Sequence, residues 1–401
     1  MERYLKIINA CILTPHRVIK EGTLIASEGR IVYIGQQNRE LEDALEIDAQ
    51  GAYLAPGFID LHVHGGGGHD FMDATGEAFL KIAATHAQYG TTALYPTTLT
   101  AEKSDLLKTL DVFESVQKQD NYGAQLMGMH LEGPYFAMNQ RGAQDPRYIR
   151  NPDPEEYKEV IAYSRSIRRW SAAPELDGAL ELGHYLRSKN ILPAIAHTDA
   201  VYEEVVKAFE GGYTLATHFY SGMSGVSRKN GYRYAGVIES GYLIDAMDVE
   251  VIADGIHLPA PLLKLIVKIK GADRIALITD AMRAAGMPEG ESMLGDRENG
   301  LKVMVDKGVA WLPDRSAFAG SVATASRLVR NMIDLAEVPL ADAVRMITAT
   351  PARIMGIDQQ KGALVPGKDA DLVLFDENIN ISKTIIGGRV VYSREGGTAK
   401  G

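Results

Sequence analysis

Two hydrophobic patterns alternate along the middle of the chain. Short, nearly unbroken apolar runs (GFIDLHV from Gly57, then TALYPTT, QLMGMHLE, IRRWSAAPE, ILPAIAH, YTLATH, VEVIAD and RIALITD) are separated in several places by stretches with apolar residues at helical spacing, such as EAFLKIAATHAQYG from Glu77. Strands that are apolar throughout predict a parallel sheet covered by helices, and about eight such units predict an α/β fold closed into a (β/α)8, TIM-like barrel. On pattern alone, a long open doubly wound sheet is the alternative. The two ends of the chain are written differently. Residues 1–54 read as short strands broken by turns, and the tail returns to the same pattern in KGALVPGKDADLVLFD and IIGGRVVYSR. These ends predict one small β domain built from residues 1–54 and 356–401, beside a barrel domain over 55–355. The closing GGTAKG is expected to fray.

Composition narrows the partners. With 46% hydrophobic and 23% charged residues in a chain of 401, a sizeable globular core is expected. The 42 basic and 52 acidic residues give a net charge of -10, with no basic run to track a phosphate backbone, so nucleic acid is not an expected partner. No apolar stretch reaches the roughly 20 residues of a membrane-spanning helix. The single Cys11 precludes an intramolecular disulfide, and the opening MERYLKIINACILTP lacks the features of a secretory leader; a cytoplasmic protein is expected.

In a barrel of this kind, functional groups come from the C-terminal ends of the strands. There the sequence places His62 and His64, Glu132, His197, His218, Asp254 with His257, and Asp280. Side chains at i and i+2 of a strand share a face, so His62 and His64 can grip one ion, and the glycines that follow let the backbone turn away. Imidazoles and a carboxylate converging at one mouth are ligands suited to zinc or iron. Asp280 can ligate the metal, cap the next helix, or exchange protons with an attacking water; with the other ligands at hand, the role of base is favoured. His16, His69, His86, His130 and His184 lack such placement and are given no role, although His69 lies near the site in sequence.

These residues, in this order, resemble the amidohydrolase superfamily, and within it the N-acetylglucosamine-6-phosphate deacetylase family. PGFIDLHVHGGGG, LEGPY, the APE at Ala173, the HFYSGM segment from His218, ADGIH, ITDAMRAAGM and FAGS carry the resemblance, with GALVPGKDADLVLFD matching the superfamily's closing segment. The resemblance implies a small β-sandwich-like domain from both termini, a distorted barrel, a homodimer, and hydrolysis of an acetamido group on an amino-sugar phosphate. It makes Glu132, His197 and His218 the main metal ligands and Asp280 the acid and base. His62 and His64 then permit a second divalent ion, with Glu132 standing where many superfamily members bridge two metals with a carboxylated lysine. It also implies that His257, Ser221 and Gly222 meet the sugar phosphate. A basic residue from the neighbouring subunit completes that site in the family, and here Arg228, Lys229 and Arg233 are the candidates.

Two positions depart from the family's pattern. Gln144 stands where a histidine usually polarises the acetyl carbonyl, and Ser221 where asparagine is usual. A glutamine amide donates a hydrogen bond but carries no positive charge. The pattern therefore leaves three readings: a deacetylase of N-acetylglucosamine 6-phosphate, one acting on an epimer such as N-acetylgalactosamine 6-phosphate or on another amide, or a metal-keeping binding protein. Asp280 argues against the last, since a binder has no use for a base beside the metal.

Overall fold

The computed structural model describes residues 4–119 and 121–394, so GGTAKG lies outside the described residues. Eight strands form the barrel: β1 Phe58–Val63, β2 Thr91–Pro96, β3 Met129–Glu132, β4 Ile167–Ala172, β5 Leu192–Ile195, β6 Leu215–Ala216, β7 Asp248–Val251 and β8 Ile275–Leu277. Parallel pairing runs unbroken from β3 to β8, and β1 pairs with β2. Isolated parallel bridges from Thr97 to His130 and from Val63 to Ala281 join the two sets, so the sheet closes as the pattern predicts and is not open. Every residue of β1, β2, β3, β7 and β8 is buried, which is why these runs read as apolar without alternation.

The predicted third run is split. Gln125–Leu126 pairs with β2, and β3 begins only at Met129. Gly128 lies between them at φ +136°, where a Cβ would run into the Arg168 side chain and the Ser166 carbonyl. Each barrel strand is followed by a helix before the next, from Gly76–Ala87 after β1 to Ala325–Asp334 after β8. The first of these starts where the Thr75 hydroxyl accepts from Ala78 N at 3.2 Å, and buries Phe79, Ile82 and Ala83. Between β8 and the helix Ala325–Asp334, where the sequence pattern predicted no strands, the structure holds a four-stranded antiparallel meander, Gly290–Leu294, Leu301–Asp306, Val309–Trp311 and Phe318–Ser321.

Both ends of the chain meet in one eight-stranded sheet. Tyr53–Pro56 pairs in parallel with Tyr4–Leu13 on one side and antiparallel with Leu372–Phe375 on the other. Ile7, Ile12, Leu24, Leu54, Leu372 and Ile385 form part of a core of its own, separate from that of the barrel.

Candidate functional site

Glu132, the last residue of β3, is the hub of the barrel mouth. Its Oε1 lies 2.9 Å from His218 Nε2 and 3.5 Å from the Nε2 atoms of His197 and His62, and its Oε2 lies 3.3 Å from His64 Nε2. Asp280 Oδ1 reaches the same place, 3.2 Å from His64 Nε2 and 3.4 Å from His62 Nε2. Two buried triads, His62–His64–Glu132 and Glu132–His197–His218, thus share one carboxylate. The spacing fits a cation: two ligands about 2.0–2.1 Å from a tetrahedral zinc stand about 3.3 Å apart.

Ring orientation fits as well. His197 Nδ1 lies 2.7 Å from the Gln140 carbonyl and His218 Nδ1 lies 3.1 Å from the Ser221 carbonyl. A carbonyl only accepts, so each Nδ1 carries the proton and each Nε2 turns its lone pair toward Glu132. Gly222 allows this close fit. At φ +57°, its Cβ would sit 2.8 Å from His197 Nδ1 and 2.9 Å from the Gln140 carbonyl.

The cluster's field draws positive charge. Burial disfavours protonation of His62 and His64, but Glu132 and Asp280 outweigh it and hold these imidazoles up at about 9 and about 10. Against the same burial, the imidazoles keep the Glu132 and Asp280 carboxyls below their ordinary range.

A cleft of about 210 Å³ opens onto the cluster and is lined by most of the predicted site residues: His64, Glu132, Gln144, His197, His218, Ser221, Gly222, His257 and Asp280. His62 lies completely buried. Gln144 is fixed at both ends, its Oε1 accepting from Thr100 N at 2.9 Å and its Nε2 donating to Glu132 Oε2 at 2.7 Å. His257 Nδ1 lies 2.7 Å from Asp254 Oδ2, with Phe318 of the meander against its ring. The Ser221 N–H is taken by the His218 carbonyl at 2.9 Å. Arg228, Lys229 and Arg233 are not brought to this cleft. They lie on an exposed hairpin of Ser227–Lys229 and Tyr232–Tyr234.

Some neighbours of the cluster carry no role in the sequence reading. His130, given no role there, bonds Ser171 Oγ at 2.7 Å and Thr97 Oγ1 at 3.2 Å, and its ring packs edge-on against His62. Asp60 accepts from Thr279 Oγ1 at 2.6 Å and from His62 N at 3.2 Å, and burial pushes its carboxyl up to about 7. Arg169 and Glu250 pair inside the barrel. The available signal was a charged residue within an apolar strand run, as in IRRWSA and VEVIAD. His69 pairs with Gly66 in a two-residue ladder, and buried His86 contacts the Gly65 carbonyl at 2.9 Å.

A closed parallel barrel whose strand ends converge four imidazoles and a shared carboxylate, with a further carboxylate facing them, defines a metal-dependent hydrolase of the barrel type. The chain belongs to the amidohydrolase family, which it matches over residues 53–391, and within it to the N-acetylglucosamine-6-phosphate deacetylases. It is 35% identical over 376 residues to the N-acetylglucosamine-6-phosphate deacetylase of Vibrio furnissii, covering 94% of this chain and 90% of that one. It is 33% identical over 373 residues to the N-acetylgalactosamine-6-phosphate deacetylase of Escherichia coli O157:H7, covering 93% of each. The crystal structure of N-acetylglucosamine-6-phosphate deacetylase from Pasteurella multocida superposes with a TM-score of 0.91 at 27% identity, covering 98% of this chain and all of that one.

Proposed function

We propose that the protein hydrolyses the acetamido group of N-acetylglucosamine 6-phosphate, releasing acetate and glucosamine 6-phosphate. The observation that carries this reading is Asp280, a carboxylate lining the cleft and facing the His62–His64 edge of a cluster spaced for metal. Glu132, His197 and His218 hold one divalent ion, zinc or iron, and His62 and His64 offer a second position sharing Glu132. When bound, the metal supplies Lewis acidity to the acetyl carbonyl and to water. Asp280 takes the proton from the attacking water and delivers it to the departing amine. Gln144, anchored between Thr100 and Glu132, orients the acetyl group. Asp254 occupies His257 Nδ1, which leaves Nε2 to meet the sugar phosphate beside Gly222.

In this reading the barrel domain, residues 55–355, carries the site, and residues 1–54 with 356–401 form the small domain. The protein acts as a cytoplasmic homodimer, in which the hairpin carrying Arg228, Lys229 and Arg233 lends a cation to the neighbouring copy's phosphate site. Among the described residues no helix is long and apolar enough to cross a membrane.

A second reading, N-acetylgalactosamine 6-phosphate as substrate, is favoured by the Escherichia coli relative at nearly equal identity. Acetate release from both epimers, each with and without the 6-phosphate and after metal chelation, tests the assignment. The gluco epimer with phosphate is expected to be fastest. A preference for the galacto epimer selects the second reading, and equal rates without phosphate would sink both.

A further inference from the structure

The reading that Glu132 and its histidines hold metal leaves one expensive feature unused. Arg169 on β4 and Glu250 on β7 are both completely buried, and since β5 and β6 stand between those strands, the pair spans the barrel interior. The guanidinium and carboxylate meet in a two-pronged contact, Nη1 on Oε1 and Nη2 on Oε2. Burying two charges is costly, and an apolar pair of similar volume is often as stable or more so. Stability alone is therefore a poor reason for these residues.

What the pair touches points elsewhere. Glu250 Oε2 accepts from the backbone N–H of His218 at 3.3 Å and lies 3.6 Å from His62 Nδ1, a buried nitrogen with no hydrogen-bond partner among the described residues. Arg169 donates to Thr217 Oγ1 at 2.7 Å and to the Leu61 carbonyl at 3.3 Å, the residues immediately before those two histidines. One ion pair thus contacts both ligand-bearing segments, β1 and the end of β6, which belong to different triads around Glu132. Thr217 Oγ1 and Ser171 Oγ lie 3.1 Å apart, and Ser171 meets His130, whose ring supports His62 edge-on.

We propose that Arg169 and Glu250 are positioning residues for the metal cluster. The Glu250 carboxylate faces His62 Nδ1 and so keeps the Nε2 lone pair turned toward Glu132 and His64, while the same oxygen fixes the backbone that carries His218. Arg169 holds that carboxylate in place and locks the flanking residues. The His62–His64 position depends on the pair more heavily than the His197–His218 position does, because the His197 and His218 rings are oriented by backbone carbonyls of their own.

The test uses the full chain, loaded with Co²⁺ or Zn²⁺, in two variants. Glu250→Gln keeps the shape and removes the charge; Arg169→Met with Glu250→Leu replaces the pair by apolar side chains. Metal affinity is measured by competition with a chelator, metal per chain by elemental analysis, ligand geometry by the visible absorption of the Co²⁺ form, and folding by circular dichroism. Both variants are expected to fold but to bind the His62–His64 ion about 10 to 100-fold more weakly, with an altered Co²⁺ spectrum and the second equivalent lost before the first. Parent-like affinity and spectrum in Glu250→Gln overturn the positioning role, whether or not the double variant folds. If the unaltered chain itself binds no metal, the metal reading fails and takes this inference with it; if it binds metal and only the variants are unaffected, this inference alone fails.

Discussion

His197, His218 and Asp280 adopt left-handed backbone conformations, with φ of +46°, +32° and +49°. For a residue with a Cβ this is strained by about 1–3 kcal/mol, and each lies two or three residues beyond the end of its strand. All three side chains line the cleft at the barrel mouth. Asparagine tolerates this region, so Asp280→Asn is expected to keep its melting temperature within a few degrees while the rate of acetate release falls at least about 100-fold. A variant that kept its rate would show that Asp280 is not the base. Gln144→His is expected to raise turnover on N-acetylglucosamine 6-phosphate by between a few-fold and about 100-fold, because an imidazolium adds charge where the oxyanion develops. A loss of activity with metal retained would instead make the amide a recognition group. The residue types and their order at the strand ends were legible in the sequence, since the hydrophobic runs mark where each strand stops. The left-handed turns were not, because no glycine occupies them. Glu250 and Arg169 were hidden for a related reason: one or two charges inside an apolar run do not alter the run's hydrophobic reading.

The elements that pattern reading recovered best were those buried on every side, and the largest it missed was the meander after β8. Its strands are three to six residues long, and their partly exposed positions give too few alternations to stand out from a loop. Arg283 ties this element to the barrel mouth, donating to Asp73 at 2.6 and 2.8 Å and to the carbonyls of Gly68, Met293 and Gly295. Burial raises the Asp73 carboxyl, but Arg283 reverses this and holds it below the ordinary value. The stabilisation is therefore fully present above the ordinary carboxylate value of about 4 and fades as the pH falls through the lower, folded value. Arg283→Met is expected to destabilise by about 3 kcal/mol at pH 7, and by less below pH 3. Urea unfolding at both pH values measures the difference. An equal loss at both would mean that the carbonyl contacts, and not Asp73, carry the effect.

At the scale of the whole molecule, the hairpin is exposed along both of its strands, with Tyr232 at 73% and Val226 at 62% exposure beside the three basic residues. In the homodimer proposed above, this hairpin would be the surface that meets the neighbouring copy. In a shared site, chains carrying Asp280→Asn and chains carrying Arg228→Ala, Lys229→Ala and Arg233→Ala are each poorly active alone. Mixed and allowed to exchange subunits, they are expected to recover up to about a quarter of the parental activity toward the phosphorylated sugar, since half the mixed dimers' sites regain every group. No recovery after subunit exchange, demonstrated by mass spectrometry, would place all catalytic and binding groups within one chain. The pairing of Tyr53–Pro56 with Leu372–Phe375 has a further consequence for how such a chain is made. On the ribosome, the fifty-third residue emerges long before its partner, and at about 5–20 residues per second the interval is about 15 to 60 s. For that time the nascent chain carries an open strand edge that only its own last segment can cover. Chaperones that shield such edges should set the yield of soluble protein, and a message interrupted before codon 372 should yield aggregate even when every residue of the barrel has been translated.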